Sequence, residues 1–224
     1  MTDKRHFIAK NVVPLLKKGD LVNLGAGIPF LITEYIDRDS EIMIQSECGT
    51  IGAGPKVTDP EKIIRTLIAP DTSYASLKKD GFCFDSQTAF GMIRGGFIDA
   101  TILGAMQVDR HGSMANWDVP GKALKGMGGA MDLCIGAKCV IVAMEHCSRD
   151  GRSKIMEECT YPLTCKNEVN YIVTEYCVLE TVPEGLKLIK LAKGYSAKYV
   201  QEITDTRLII PENIAEMEDE WSIC

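Results

Sequence analysis

Leu21 to Leu24 is a short apolar run that empties into Gly25-Ala26-Gly27-Ile28-Pro29, and this junction constrains the chain more than any other stretch. Behind it Leu31, Ile32, Tyr35 and Ile36 recur at helical spacing, and Glu41 to Gln45 reads as a second strand ending at Ser46-Glu47-Cys48-Gly49. Strand, glycine turn, helix, strand is a βαβ unit. Its helix carries the chain back across the sheet, so the second strand runs parallel to the first. The expected fold class is α/β, with an open, mainly parallel sheet flanked by helices.

The rest of the chain extends this pattern. Phe7, Ile8, Val12, Leu15 and Leu16 predict an amphipathic helix over residues 4–18, broken by Gly19-Asp20. Gly49, Gly52 and Gly54 with Pro55 read as sharply turning backbone. Downstream, the pattern predicts a strand at Phe82 to Phe84, a helix at Ser86 to Arg94, a strand at Ala100 to Leu103 and a hairpin from Gln107 to Ala115. A polar, glycine-rich passage from Asn116 to Gly129 leads to a helix near Ala130 to Ile135, and Cys139 to Met144 is a fully apolar strand of the buried kind. Past Pro162, short strands at Tyr171 to Thr174, Cys177 to Thr181 and Leu186 to Leu191 suggest an additional antiparallel region, followed by a helix near Ala197 to Ile203. Glu216 to Glu220 reads as a solvated acidic tail. With no repeat, linker or low-complexity segment, residues 1–224 are expected to form a single domain.

Composition narrows the partners. Hydrophobic residues at 46% and charged residues at 25% suit a soluble protein with a sizeable core. A net charge of −6, from 31 acidic and 25 basic side chains, opposes a broad nucleic-acid or anionic-membrane surface but leaves room for a small anionic ligand. The longest apolar run, Val140 to Met144 with Cys139 before it, falls far short of the roughly 20 residues that span a bilayer. Residues 1–6 carry charge without a following apolar segment, so a cytoplasmic location is expected. The nine cysteines are odd in number, scattered and free of any C-x-x-C, which reads as buried or inert thiols in a reducing interior. His146, Cys147, Cys159 and Cys165 lack the paired short spacings of a zinc site, and no metal is expected.

Three segments can carry chemistry. Gly25-Ala26-Gly27 after a strand fails the dinucleotide fingerprint because Phe30 stands where the third glycine belongs. It is either a plain βα turn or a place where a ligand anion approaches free backbone N–H groups. Glu47 lies at the carboxyl end of a strand, the edge where open α/β sheets bind ligands, and can serve as nucleophile, base or helix cap. Cys48 has no base or cation beside it in sequence and reads as a bystander. Gly126-Met127-Gly128-Gly129 before a helix makes either a flexible loop or a nest of N–H groups for a developing oxyanion, to which Asn116 can add a side-chain donor.

Taken together and in this order, these segments resemble the β-type subunit of family I CoA-transferases, closest to those acting on short-chain acids and 3-oxoacids. The matching stretches include residues 23–29, Gln45-Ser46-Glu47-Cys48-Gly49, Ile93-Arg94-Gly95-Gly96, residues 103–109, Ala115-Asn116-Trp117, Pro120-Gly121-Lys122, residues 126–133 and Thr160-Tyr161-Pro162-Leu163-Thr164, spread over nearly the whole chain. The family places Asn where Cys48 stands, which touches local polarity or acyl preference and leaves the glutamate in place.

The resemblance implies a CoA-transferase/NagB-like fold and ping-pong exchange, with Glu47 as the nucleophile that becomes a glutamyl-CoA thioester. It also implies oxyanion or CoA contacts at Asn23, Gly25, Gly27, Asn116, Gly128 and Gly129. CoA and acyl-CoA are then substrates, with no permanently bound cofactor. A short-chain acid such as acetate, butyrate or acetoacetate is the partner substrate, and an α-type subunit completes a hetero-oligomer. Lys56, Lys122 and Lys125 are candidate cations for the CoA phosphates. Two other readings use the same residues: an acyl-CoA hydrolase working through Glu47, and a non-catalytic sugar-phosphate-sensing module of related fold.

Overall fold

The computed structural model of the chain describes residues 3–68, 73–121 and 126–218, without the side chains of Arg38 and Pro55. The α-helices are α1 (Lys4–Val12), α2 (Ile28–Leu31), α3 (Ser86–Arg94), α4 (Ala130–Gly136) and α5 (Ala197–Glu202). The first eight strands are β1 (Leu21–Leu24), β2 (Met43–Ser46), β3 (Thr50–Lys56), β4 (Ala75–Cys83), β5 (Ala100–Leu103), β6 (Gln107–Asp109), β7 (Met114–Ala115) and β8 (Val140–Ala143). They are followed by β9 (Ile155–Met156), β10 (Tyr171–Val173), β11 (Cys177–Val182), β12 (Gly185–Leu191), β13 (Leu208–Ile209) and β14 (Ala215–Glu216).

An eleven-stranded sheet runs in the order β13-β12-β11-β10-β8-β5-β1-β2-β3-β4, with β14 also pairing β12. Its centre, β10-β8-β5-β1-β2, is parallel throughout, and antiparallel pairs flank it at β2-β3-β4 and at β10-β11-β12. A three-stranded sheet, β7-β6-β9, stands apart. The parallel centre is buried on both faces, which is why its strands read as apolar runs. On one face Phe7, Ile8 and Val12 of α1 pack on Val22, Leu24, Ile102 and Ile141. On the other, Ile93 of α3 and Leu133 of α4 pack on Leu103, Val140 and Val142.

Several expectations change. The helix expected to carry Leu31, Ile32, Tyr35 and Ile36 ends at Leu31 and tightens into a 3-10 turn over Ile32–Glu34, and the strand expected at Phe82 to Phe84 falls at the end of the longer β4. The helix predicted over residues 4–18 ends at Val12 and tightens into a 3-10 turn at Val13–Leu15, because Pro14 has no N–H for the helical ladder. Of the glycine-rich stretch read as turning backbone, Gly49 does lie in a turn, but Gly52, Gly54 and Pro55 belong to strand β3, which pairs with β2 and β4. Its glycines permit close approach rather than reversal: a Cβ on Gly52 (φ +82°) would sit 2.7 Å from the Gly81 Cα on β4, and the register slips between Ile51 and Ala53. Of the acidic tail, Glu216 pairs with the sheet as the last residue of β14, while residues 219 and 220 lie outside the described residues.

Candidate active site

Glu47 is the first residue past β2, at the carboxyl edge of the parallel sheet. It rides a tight turn in which the Gly49 N–H donates to the Ser46 carbonyl (3.0 Å) and the Cys48 N–H donates to Ser46 Oγ (3.2 Å). Gly49 has φ +101°, and a Cβ there would lie 2.0 Å from the Phe84 carbonyl oxygen, so only glycine fits. The Phe84 N–H donates back to the Gly49 carbonyl (2.9 Å), clamping the turn to the segment that leads into α3. The Glu47 side chain is half-buried, and Cys48 beside it is exposed.

Two residues distant in sequence meet the Glu47 side chain. Asn23, wholly buried near the end of the neighbouring strand β1, donates from Nδ2 to Glu47 Oε2 at 3.4 Å. Gly129, buried at the start of α4, faces it so closely that a Cβ on Gly129 would stand 3.7 Å from Glu47 Cγ and 3.1 Å from Phe90 Cζ. A glycine here therefore leaves a narrow slot open beside the carboxylate. Gly128, exposed with φ +55°, brings the loop into that position with nothing within 4 Å of where its Cβ would be. Among the described residues no carbonyl accepts from the Gly128 or Gly129 N–H, so both donors remain open.

The other expected contacts lie elsewhere. The Gly25 N–H is already donated to the Ile102 carbonyl (2.8 Å), and a Cβ on Gly25 would crowd that same oxygen at 3.3 Å, so this glycine serves the packing of β1 against β5. Gly27, with φ +83°, precedes α2 and lies beside the Arg5 guanidinium, whose Nη2 is 3.7 Å from its would-be Cβ. The Asn116 amide donates to the Gly104 carbonyl (3.3 Å) and its Oδ1 accepts from the Thr164 hydroxyl (2.7 Å). No hydrogen bond joins Asn116 to Glu47 among the described residues. Lys56 is exposed on β3, and Lys122 and Lys125 lie outside the described residues.

A cavity of about 1020 Å³ opens at the carboxyl ends of β1, β5 and β8, lined by Ala26, Pro29, Gly104, Met106 and Met144 and rimmed by Arg5, Arg149 and Lys154. Glu47 is not part of its wall. The Arg5 and Arg149 guanidinium groups pair with no carboxylate among the described residues, whereas Arg152 is held by Asp150 (2.6 Å). This basic rim was not anticipated, because its members come from residues 5 and 149–154 and meet only in the fold.

His146, Cys147, Cys159 and Cys165 do not gather, and no group of three or more His, Cys, Asp or Glu side chains among the described residues is arranged to hold a metal ion. His146 is instead wholly enclosed, with Nδ1 3.2 Å from Thr174 Oγ1 and Nε2 2.9 Å from Thr204 Oγ1. The Thr204 hydroxyl donates to the Val200 carbonyl (2.6 Å), so it accepts from Nε2–H, and burial pushes the imidazole pKa down to about 4. No described helix is long and apolar enough to cross a membrane.

Comparison with known proteins places this geometry in context. Residues 7–204 match the family described as coenzyme A transferase. The chain is 39% identical over 214 residues to the beta chain of the acetate CoA-transferase of Haemophilus influenzae, covering 96% of this chain and 95% of that one. It is 41% identical over 201 residues to one of the separate subunits of the succinyl-CoA:3-ketoacid coenzyme A transferase of Helicobacter pylori, covering 90% of this chain and 96% of that one. Against the rat mitochondrial succinyl-CoA:3-ketoacid coenzyme A transferase 2A, identity is 42% and coverage 96% of this chain but 42% of the relative. Among solved structures, an acyl-CoA transferase of Escherichia coli O157:H7 superimposes with a TM-score of 0.77 at 20% identity over 96% of this chain, which spans 43% of that enzyme.

Proposed function

This chain belongs to the coenzyme A transferase family, and from that premise we propose that it carries the nucleophilic half of an enzyme that moves CoA between a short-chain acyl-CoA and a 3-oxo acid. The observation that carries the reading is Glu47 itself: a half-buried carboxylate on a rigid turn at the sheet's carboxyl edge, with Asn23 on one side and the Gly129 slot on the other.

Carboxylate is a weak nucleophile, so the barrier must fall through placement and charge stabilisation. One Glu47 oxygen attacks the thioester carbonyl, a C–O bond forms, the C–S bond breaks and CoA leaves as thiolate, giving a mixed anhydride. The thiolate then attacks the Glu47 carbonyl carbon. Its C–S bond forms as the anhydride C–O bond breaks, and the first acid departs as carboxylate, leaving Glu47 as the CoA thioester. The acceptor acid runs the two steps in reverse, with no net proton transfer.

In each tetrahedral state negative charge builds on a former carbonyl oxygen. When Oε1 attacks, Oε2 remains the glutamyl carbonyl oxygen, and Asn23 Nδ2 already stands beside it. At 3.4 Å that bond is long in the resting state and can shorten as the carbon becomes tetrahedral, which favours the transition state over the ground state. The open Gly128 and Gly129 N–H groups are the second donor pair, each such donor being worth about 3 kcal/mol. The Arg5 and Arg149 rim is the candidate holder of the CoA phosphates. An α-type subunit closes the site and supplies the remainder of the acyl pocket, in keeping with relatives whose names mark them as one of two separate chains.

The test is intact mass of the chain, assembled with its α-type partner, after exposure to acetoacetyl-CoA without acceptor acid. A CoA-sized adduct on this chain, absent from Glu47→Ala and lost on adding acetate, is the expected result. Transfer that survives Glu47→Ala refutes the reading.

A further inference from the structure

Three neighbouring strands of the parallel centre each carry a buried polar side chain among apolar neighbours: Asn23 on β1, Gln45 on β2, where Ser46 follows it, and Thr101 on β5. The register aligns them, Asn23 opposite both Gln45 and Thr101, so they form one row across a single face of the sheet, under α3 and α4. All three are at most 1% exposed. A buried polar row is costly unless its geometry serves something.

The row's hydrogen bonds are unequally shared. Asn23 Nδ2 donates to Gln45 Oε1 at 2.7 Å, while the Gln45 carbonyl oxygen (3.2 Å) and Glu47 Oε2 (3.4 Å) also face it. Three oxygens on one side of the Asn23 amide admit only the orientation with its nitrogen toward them. One N–H is thus committed to the Gln45 side chain, and the other points between the Gln45 carbonyl and the Glu47 carboxylate. Asn23 Oδ1, Gln45 Nε2 and Thr101 Oγ1 take no partner. Nothing on the β5 side holds the amide, and of the three oxygens that face it Gln45 Oε1 makes the shortest bond.

We propose that Gln45 is a positioning residue for CoA transfer: its Oε1 captures one N–H of Asn23 and thereby aims the second at the glutamyl oxygen of residue 47. This rests on the reading of Glu47 as nucleophile and deepens it. Gln45 touches no substrate. It removes the rotational freedom that Asn23 would otherwise lose on the way to the transition state. An acyl-CoA bound in the ground state makes no demand on that donor, so the effect falls on kcat and not on KM.

The experiment is a double-mutant cycle on the assembled complex, using Gln45→Met and Asn23→Ala. Gln45→Met keeps the length and removes the acceptor, and should lower kcat about tenfold with KM for acyl-CoA unchanged. Asn23→Ala should lower kcat about a hundredfold, and the double variant no further. Losses that multiply to about a thousandfold, a change confined to KM, or an unchanged kcat would each overturn the proposal. Gln45→Asn, which retains a buried amide but withdraws the acceptor by one methylene, is the second variant and should match Gln45→Met. In the unaltered chain, the side-chain amide protons of Asn23 should exchange with solvent slowly by NMR. Exchange as fast as that of an exposed asparagine would also overturn it. The CoA adduct on the unaltered chain separates the two claims: without it the Glu47 reading fails, and with it a null cycle fails the Gln45 proposal alone.

Discussion

Replacing Gly129 by alanine separates chemistry from folding with one methyl group. Gly129 has φ −84°, an ordinary value for alanine, so the backbone carries no strain. The added Cβ would meet Phe90 Cζ at 3.1 Å and Cε1 at 3.2 Å, a few tenths of an ångström too close, so the half-buried Phe90 ring must shift by that much to admit it. Crowding of about 1–2 kcal/mol is offset by about 0.4–1 kcal/mol from the reduced entropy of the unfolded chain. The net change is about 1 kcal/mol, equivalent to a Tm shift of about 2–4 °C. Function should suffer far more. The same methyl stands 3.7 Å from Glu47 Cγ and narrows the slot through which sulfur must reach the carboxyl carbon. A misplacement of about 1 Å at the reacting atoms costs on the order of a hundredfold in rate. Acetoacetyl-CoA to acetate transfer by the assembled complex, with Tm measured on the same preparation, is the assay. A hundredfold loss with Tm nearly intact is expected. Wild-type turnover in Gly129→Ala would show that this slot is not the path of the thiolate.

Two further outcomes follow from local geometry. Gly49→Ala combines φ +101° with a Cβ 2.0 Å from a backbone carbonyl oxygen, so it should destabilise the fold by more than about 4 kcal/mol and yield little native protein; a normal thermal transition would refute the clamp between this turn and Phe84. His146 has its folded pKa lowered from 6.5 to about 4, so its contribution to stability is complete above pH 6.5 and is lost as pH falls toward 4. In that window the unfolded chain binds the extra proton, and unfolding free energy should drop by about 1.4 kcal/mol per pH unit, about 3 kcal/mol in all, from this group. Denaturant titrations between pH 7 and 5 should show a shallower slope in His146→Gln, and an identical slope would remove His146 as the cause.

The sequence was most legible where local rules suffice. Residues 86–94 form a helix because Asp85 caps it, its carboxylate accepting from the Thr88 N–H at 2.7 Å, and residues 100–103 form a strand because Ala100, Ile102 and Leu103 are buried in a sheet covered on both faces. Strand β3 was not legible. Glycines that mark turns by local propensity here let two strands approach, a role visible only with β4 in place. The polar residues within apolar strands, Asn23, Gln45 and Thr101, were a readable signal of a buried row, yet only strand register shows that they share one face.

By itself the sequence determined the alternation of strand, glycine turn and helix, and with it the placing of Glu47 just past a strand's carboxyl end. Both depend on side-chain periodicity and on backbone freedom within a few residues. Only the tertiary structure decided which groups reach that carboxylate. Gly25 and Asn116 spend their donors on Ile102 and Gly104, while Asn23 and Gly129, 24 and 82 residues away along the chain, stand against Glu47. Each donor satisfies whichever acceptor packing brings within reach, and that competition is settled by strand order and helix placement rather than by spacing along the chain.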